Sequence, residues 1–284
     1  MNSYGIICCD AGAANQLMAY LKDQPPAQML GFFSGPAAKI CDVFLPDMAL
    51  ATTLEDVIDA SDIVITGTGW SSELEHKARI LASKKGKLSI AVIDHWVNYK
   101  QRFERDGIEQ YPDVIWVFDE MAYRRASCLF DDIEIELKNP SYQNHVLGKV
   151  SQLPSEPNSF LYFCEPIRQQ AINGVTMEER QLDAFLKKLS LDKTFAHYRV
   201  YLRLHPSEPA HKYDHILANY QNLTIRKDDL TLEKSLCRSG AVVGCSTYAL
   251  YLAYHAHRKT YSSKIESGRD SGFSIDEIIP MDTL

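Results

Sequence analysis

The sequence has no long apolar run. None of its hydrophobic stretches approaches the roughly 18 residues that would span a bilayer, and its first residues enter an apolar segment without a basic leader. It also shows no basic amphipathic helix of the kind that binds membrane surfaces. We therefore expect a cytoplasmic protein without an integral membrane segment, for which only peripheral association with the inner membrane is left open.

The sequence also lacks an excess of basic residues. It has 30 lysines and arginines against 37 aspartates and glutamates, a formal net charge of −7. A protein that binds duplex nucleic acid needs a concentrated basic face to displace counterions from phosphates. The balance therefore argues against a nucleic-acid partner, although a small anion could still be bound locally.

Cysteine pairs that bind metals and glycine-rich loops that bind dinucleotides are missing as well. The seven cysteines include no Cys-x-x-Cys pair and lie mostly in apolar segments, as expected of reduced, buried thiols. The glycine-rich loops match neither the Gly-x-Gly-x-x-Gly pattern nor the Walker pattern. The sequence therefore predicts no metal site and no cofactor.

What is present is the composition of a globular protein large enough for two domains. Hydrophobic residues make up 45% of the 284 positions and charged residues 24%. A stretch rich in proline and serine, 151–159, resembles a linker and contains Pro154 and Pro157. We therefore predict an N-terminal domain at 1–153 and a C-terminal domain at 154–284.

Both predicted domains alternate short apolar runs with helical patterns. Continuous apolar runs are typical of parallel strands buried on both faces, and the alternation indicates an α/β fold. In the second half, Leu182, Phe185, Leu186 and Leu189 follow helical spacing. The expected fold is two Rossmann-like lobes facing each other across a cleft, with strands at 4–9, 29–33, 62–66, 88–93, 114–118, 160–164, 198–204, 223–226 and 241–244.

Ligands of such sheets collect beyond the carboxyl ends of the strands, which directs attention to the residues there. One strand ends in Arg203-Leu204-His205-Pro206, where Pro206 presets a turn and places His205 at the strand end. His205 could donate to a phosphate oxygen. It could equally be a turn histidine that satisfies a local carbonyl.

A second strand end leads into Ser246 and Thr247, which open a helix. The unpaired N–H groups, the helix dipole and two hydroxyls together suit an anion. The alternative is that Ser246 only caps the helix.

The strand end at 203–206, followed about forty residues later by Val242-Val243-Gly244-Cys245-Ser246-Thr247, resembles the C-terminal domain of GT-B glycosyltransferases. The similarity is to bacterial sialyltransferase-like enzymes and to the related CDP-glycerol glycerophosphotransferases, and it covers about sixty residues. It implies that His205 contacts the donor phosphate and that Ser246 and Thr247 contact phosphate or the donor carboxylate. Arg203 and Pro206 belong to the same motif, and Glu165, after the first strand of the lobe, is a further candidate for donor contact.

In sialyltransferase-like enzymes an acidic tripeptide ending in glycine supplies the general base, and this sequence lacks it. Asp94 is the first candidate for the base, because it ends the most apolar strand of the first lobe. Asp10 and His95 are the other candidates, and Trp96 could hold a sugar ring. An alternative role for Asp94 is to cap a helix at 98–103.

Two glycine-containing loops lie at other strand ends of the first lobe. Gly12 follows Asp10, and Gly67, Thr68 and Gly69 follow the third strand. Their small residues permit a backbone to approach a ligand closely, so these loops are candidates for the acceptor side. Each could equally be a tight turn.

Taken together, the patterns and the resemblance predict a metal-independent, inverting glycosyltransferase of surface polysaccharide synthesis. Its partners would be a nucleotide-sugar donor, with CMP-linked nonulosonic acid or Kdo favoured, and a glycan acceptor. Alternatives are a CDP-glycerol-type glycerophosphotransferase with His95 as base, a UDP-sugar epimerase of the same fold, and a non-catalytic binding or scaffold protein.

Overall fold

The computed structural model describes residues 2–69, 72–167, 171–264 and 278–284. The chain divides into two compact units, Met1–His145 and Val146–Leu284. Within the described ranges, no helix is long and apolar enough to cross a membrane.

The first unit is built on a seven-stranded parallel sheet. Its strands are β1 (Ser3–Cys8), β2 (Gln28–Phe33), β3 (Ala49–Leu50), β4 (Ile63–Thr66), β5 (Leu88–Val92), β8 (Val114–Val117) and β9 (Glu134–Leu137), and β6 (Glu104–Arg105) and β7 (Ile108–Glu109) form a separate hairpin. The order across the sheet is β3-β2-β1-β4-β5-β8-β9. From β1 the chain first adds strands on one side of the sheet and then on the other, so the strand order reverses between β1 and β4. Ligands of such sheets collect at this point of reversal.

Helices connect these strands and cover the sheet. They are α1 (Ala11–Asp23), α2 (Gly35–Phe44), α3 (Leu54–Asp59), α4 (Leu74–Lys84), α5 (Glu120–Leu129) and α6 (Ser141–Leu147), with a 3-10 helix at Lys100–Phe103. The last residues of α6 belong to the second unit.

The apolar run of β1 is buried on both sides of the sheet, as the sequence predicts. Ile6 and Ile7 are both inaccessible to solvent. Ile6 packs in the cluster that includes Leu17 of α1, whereas Ile7 packs with Val57 of α3 and Ala78 of α4. Helices on both faces of a parallel sheet define a doubly wound fold.

The second unit repeats this plan with six parallel strands. They are β10 (Glu156–Phe163), β11 (Arg199–Arg203), β12 (Thr224–Lys227), β13 (Ser239–Gly244), β14 (Lys259–Ser262) and β15 (Ile279–Pro280), in the order β12-β11-β10-β13-β14-β15. The point of reversal here lies between β10 and β13. The helices are α7 (Met177–Leu191), α8 (Asp214–Leu217), α9 (Leu232–Arg238) and α10 (Tyr248–His255), with 3-10 helices at Lys193–Phe195 and Met281–Thr283.

Helix α7 shows how the sequence determines this core. Thr176 caps it, and Glu179 returns a hydrogen bond to the backbone N–H of Thr176, so both form a capping box. The predicted apolar stripe is confirmed, because Leu182, Phe185, Leu186 and Leu189 are all buried and pack beneath the strands.

The segment predicted as a linker is partly sheet. β10 begins at Glu156, inside that segment, and its pairing with β13 is irregular between Glu156 and Phe160. Gly240 makes this possible, because a Cβ there would lie 1.9 Å from the carbonyl oxygen of Pro157. The boundary between the units also falls earlier, at 145/146 rather than 153/154.

Buried Arg258 provides the physical reason for the earlier boundary. Its guanidinium donates to the carbonyl oxygens of Ser151 at 2.5 Å and Gln152 at 2.9 Å, which binds this stretch to the second unit. The thiol of Cys237 contacts the carbonyl of Lys149 in the same unit.

Candidate functional site

In the first unit, the predicted residues collect at the carboxyl ends of three neighbouring strands. Asp10 follows β1, Gly67, Thr68 and Gly69 follow β4, and Asp94 follows β5. This edge includes the point of reversal between β1 and β4. Trp70 and Ser71, which continue the loop after β4 in the sequence, lie outside the described residues.

Asp94, the first candidate for the general base, forms an ion pair with Arg102. The distance from Arg102 to Asp94 Oδ1 is 2.8 Å, and the two side chains are only 6% and 17% exposed. The same guanidinium nitrogen donates to the hydroxyl of Thr68 at 2.9 Å. Asp94 does not cap a helix, so the alternative role considered for it is not the one observed.

Glu75 of α4 joins this site although sequence reasoning missed it. It is 1% exposed. Its Oε1 accepts the N–H of Cys9 at 2.8 Å and its Oε2 accepts the N–H of Gly69 at 2.5 Å, so one carboxylate connects the loops after β1 and β4. Burial raises the pKa of Glu75, while those hydrogen bonds and the charge of Arg79 oppose the rise.

Arg79, one turn along α4 from Glu75, is a second missed residue. It has no exposed surface and donates to the hydroxyl of Thr66 at 3.0 Å and to the carbonyl of Gly67 at 2.9 Å. Burial lowers the pKa of Arg79 to about 10, and Glu75 opposes that shift. A glutamate and an arginine four residues apart on a helix ordinarily predict an ion pair on the exposed face, so the sequence gives no sign that both are buried.

The glycines of both loops make room for carboxylates. A Cβ on Gly12 would lie 1.7 Å from Asp94 Oδ2, and a Cβ on Gly69 would lie 2.2 Å from Asp10 Oδ2. A Cβ on Gly67 would lie 2.4 Å from Glu75 Oε1. Absence of side chains at these positions therefore allows three acidic groups to gather.

Asp10 caps a helix and has a raised pKa. Its Oδ1 accepts the N–H of Ala13 at 3.0 Å and so caps α1. Burial, and then the negative charges of Asp94 and Glu75, raise the pKa of Asp10 to about 8. The residue retains partial exposure, so its carboxyl group can meet a ligand.

His95 and Trp96 differ in their surroundings. The rings of the two residues lie 5.1 Å apart, and His95 is partly exposed. Trp96 is completely buried, and its indole N–H donates to Asp119 Oδ1 at 3.0 Å. A ring without exposed surface offers no face to a sugar, so the expectation for Trp96 is corrected to a role in the interior.

In the second unit, Glu165 and Ser246 meet at the point of reversal. Ser246 donates its N–H at 2.9 Å and its hydroxyl at 2.8 Å to the Glu165 carboxylate. Thr247, rather than Ser246, is the N-cap of α10, and its hydroxyl accepts the N–H of Ala249. A carboxylate thus occupies the donors that the sequence suggested for a phosphate.

His205 lies in a turn at the end of β11, as predicted. Its Nδ1 accepts the N–H of Ser207 at 3.2 Å, so the neutral ring carries its proton on Nε2. Glu208 accepts the backbone N–H of His205 and closes the turn. Burial lowers the pKa of His205, although the residue keeps exposed surface, and the charges of Glu208 and Glu165 oppose the shift.

Arg203 and Pro206 contribute to the structure around this turn. Arg203 donates to Asp228 Oδ2 at 2.7 Å and to the carbonyl of Leu230 at 2.7 Å, so its charge is balanced inside the unit. Pro206 is exposed and occupies the turn between His205 and Glu208. The structure therefore brings Glu165 and Ser246 into contact and directs Arg203 toward Asp228.

No group of three or more acidic, histidine or cysteine side chains in the described part of the chain could hold a metal ion. His211 and His215 have the four-residue spacing of helix-borne ligands. His211 contacts Asp214 instead, and His215 lies 3.4 Å from Glu179.

No family model matches the sequence, and no curated protein matches it. Solved structures do match it, in their fold. A putative UDP-N-acetylglucosamine 2-epimerase from Listeria monocytogenes aligns with 93% of this chain and 80% of its own, at 10% identity and a TM-score of 0.58.

Two further structures carry nucleotides or nucleotide sugars. Anabaena HepE, in complex with UDP-glucose, aligns with 89% of this chain and 79% of its own, at 9% identity and a TM-score of 0.55. Arabidopsis thaliana UGT89C1, complexed with UDP-L-rhamnose, aligns with 92% and 79%, at 10% identity and a TM-score of 0.51. At such identities the likeness is one of fold, and it agrees with the predicted pair of Rossmann-like units of the GT-B type.

Proposed function

We propose that the protein is a glycosyltransferase that uses a nucleotide-activated sugar. The second unit would bind the donor, and the first unit would activate a hydroxyl group of a glycan acceptor. A CMP-linked sugar is the donor class that the His-Pro and Ser-Thr motifs favour, with polysaccharide synthesis as the context.

The observation that carries the proposal is the convergence of polar groups at the carboxyl edge of the second sheet. Glu165 and Ser246 meet between β10 and β13, Thr247 opens α10, and His205 ends the neighbouring strand β11. An Nε2–H group and the start of a helix both suit a phosphate. The solved structures of like fold that contain UDP-glucose and UDP-L-rhamnose support a nucleotide-sugar ligand.

In the first unit the acidic groups suit proton transfer to or from a hydroxyl group. Asp94, which forms an ion pair with Arg102, is the stronger candidate for the base. The reaction would then proceed by positioning and by electrostatic stabilisation of the leaving nucleotide, without a metal.

Calorimetry with CMP, CDP, UDP and GDP tests the donor site. His205→Ala and Ser246→Ala should each weaken the preferred nucleotide about tenfold, the effect of about 1.4 kcal/mol from a lost hydrogen bond to a charged group. His211→Ala, which removes an exposed histidine of the same unit, is the control and should bind as the native chain does.

The substitution Glu165→Gln tests whether the phosphate replaces Glu165 as the acceptor for Ser246. If phosphate takes the donors of Ser246, removal of the Glu165 charge should strengthen nucleotide binding several-fold. If Glu165 instead holds a hydroxyl of the ligand, the same substitution weakens it. Absence of binding by every nucleotide would refute the donor site and favour a scaffold.

Product analysis separates the remaining activities. Conversion of a UDP-sugar without an acceptor would identify an epimerase, and turnover of CDP-glycerol would identify a glycerophosphotransferase. Nucleotide binding without turnover of any donor would indicate a binding protein.

A further inference from the structure

The charges around the loops after β1, β4 and β5 are unequal in number. Three carboxylates gather there, those of Asp10, Glu75 and Asp94, and the glycines of the loops adjoin all three. Arg102 pairs with Asp94, and Arg79 is the cation that acts on Glu75. Two cations therefore face three carboxylates, of which Glu75 is buried and Asp10 and Asp94 are partly exposed, and a negative charge left without a cation is costly in such surroundings.

Arg105 contacts the loop after β4 through the backbone. It donates to the carbonyl of Gly69 at 2.6 Å and lies 3.9 Å from the carboxylate of Glu73. Three further titratable groups lie nearby: the Cys8 thiol, His76, and His95, which follows Asp94 in the chain. Burial shifts the pKa of Cys8 and that of His76. The pKa of Cys8 is raised by burial and by Glu75, and the pKa of His76 is lowered by burial and by Arg79, so both are neutral at pH 7.

The hydrogen bonds indicate which carboxylate is neutral. Both oxygens of Glu75 accept backbone N–H groups, and Oδ1 of Asp94 accepts from a guanidinium, so each of these three oxygens already acts as a hydrogen-bond acceptor. Asp10 receives its N–H from Ala13 on Oδ1. Within the described residues, no N–H group donates to Asp10 Oδ2.

We propose that Asp10 is a neutral carboxylic acid at pH 7, with its proton on Oδ2, and that Glu75 is the positioning residue that keeps it protonated. The hydrogen bonds from Cys9 and Gly69 hold the negative charge of Glu75 beside Asp10. Asp94 adds a second such charge.

The titration of Asp10 supports the same arrangement. Burial is the largest cause that raises its pKa to about 8, and Asp94 and Glu75 follow, while the Ala13 N–H and Arg102 act in the opposite direction. Most Asp10 side chains are therefore protonated at pH 7.

A partly exposed carboxylic acid at this edge is a donor rather than a base. Its O–H can hydrogen-bond to an oxygen atom of a bound ligand and pass the proton to it, which leaves an Asp10 carboxylate that regains a proton from solvent. This role rests on the proposed ligand site, but the protonation itself does not. It can be measured in the chain without any ligand.

The test is an NMR titration of the full chain, labelled with ¹³C at the aspartate carboxyl carbons. One signal should titrate near pH 8 and should be missing in Asp10→Asn. In Glu75→Gln and in Asp94→Asn the midpoint of that signal should fall by at least half a pH unit, because one facing negative charge has been removed. Asp94→Asn serves if Glu75→Gln does not fold.

Asp119→Asn is the matched control, because Asp119 also caps a helix at a strand end of the same sheet. It should leave the Asp10 midpoint unchanged. An Asp10 signal that titrates near pH 4, or a midpoint that neither charge-removing variant lowers, overturns the proposal. Loss of nucleotide binding in the same protein would concern the proposed function alone.

Discussion

At the scale of single residues, the sequence showed which strand ends matter but not which charges meet there. Asp10 and Asp94 could be named because each follows an apolar run. Glu75 and Arg79 could not, since a Glu and an Arg four residues apart on a helix ordinarily face solvent. Their burial depends on the loops after β1 and β4, whose backbone N–H groups need an acceptor.

The hydrogen-bond partners of Trp96 and Ser246 could not be predicted for a related reason. The roles of these two residues were predicted from the residue type alone, whereas their hydrogen-bond partners lie far away in the sequence. Asp119 takes the indole N–H of Trp96, and Glu165 takes both donors of Ser246. Neither partner is visible in the local sequence.

The raised pKa of Asp10 gives a stability that depends on pH. Between the value of 3.8 for an unperturbed aspartate and about 8, the folded chain holds a proton that the unfolded chain has lost. Stability contributed by this proton is complete below pH 4 and is lost as pH rises toward 8, with a slope of at most about 1.4 kcal/mol per pH unit. Asp10→Asn keeps a capping oxygen and should therefore gain stability relative to the native chain as pH rises from 5 to 8, in urea titrations.

Asp62→Asn provides the contrast for that measurement. Hydrogen bonds from Ser3 lower the pKa of Asp62, so its contribution is lost as pH falls, below the range in which Asp10 acts. A stability difference between Asp10→Asn and the native chain that is constant from pH 5 to 8 would contradict the prediction.

At the scale of elements, the buried central strands were predictable, whereas most strands at the sheet edges were not; β12 is the exception, because a strand was predicted at 223–226. The central strands β4 and β8 are buried throughout, and β1 and β5 are buried except at their first residues. All four appear in the sequence as largely apolar runs. The outer strands β3 and β9 are two and four residues long, with exposed or half-exposed positions. β14, with the sequence Lys-Thr-Tyr-Ser, is as polar as a loop.

Helix α1 supplies a sharp test of the crowding around Asp94. Alanine normally stabilises a helix by about 1 kcal/mol relative to glycine. Gly12→Ala should instead destabilise the protein by about 2 kcal/mol, because the new Cβ would displace the Asp94 carboxylate from Arg102. Denaturant titration measures the effect.

Removing the obstructing group should reverse the sign. In an Asp94→Ala background, Gly12→Ala meets no carboxylate and should be neutral or stabilising, so that the double-mutant cycle shows a large coupling energy. Equal effects in both backgrounds would show that the contact between Gly12 and Asp94 is unimportant.

At the scale of the whole molecule, the six strands of the second sheet follow the same order as the first six strands of the first sheet, to which β9 is added, although the sequence shows no internal repeat of fixed period. The alternation of strands and helices predicted two such domains. The position of their boundary could not be derived in the same way, because it depends on where the buried guanidinium of Arg258 finds its acceptors.

The boundary can be tested with two C-terminal fragments. A fragment of residues 146–284 retains the carbonyl groups of Ser151 and Gln152, whereas 154–284 leaves buried Arg258 without them. The shorter fragment should be less stable by about 1–3 kcal/mol, the cost of an unsatisfied buried polar group. Equal midpoints of thermal unfolding, followed by circular dichroism, would place the boundary where the linker composition suggested.

The buried indole of Trp96 makes the two units distinguishable in one sample. The chain has three tryptophans, Trp70, Trp96 and Trp116, and every one falls within the first unit. Trp96 and Trp116 are buried, so unfolding of that unit should shift tryptophan emission to longer wavelength. Fluorescence therefore reports the first unit, while circular dichroism sums both, and any gap between the two transitions belongs to the second unit.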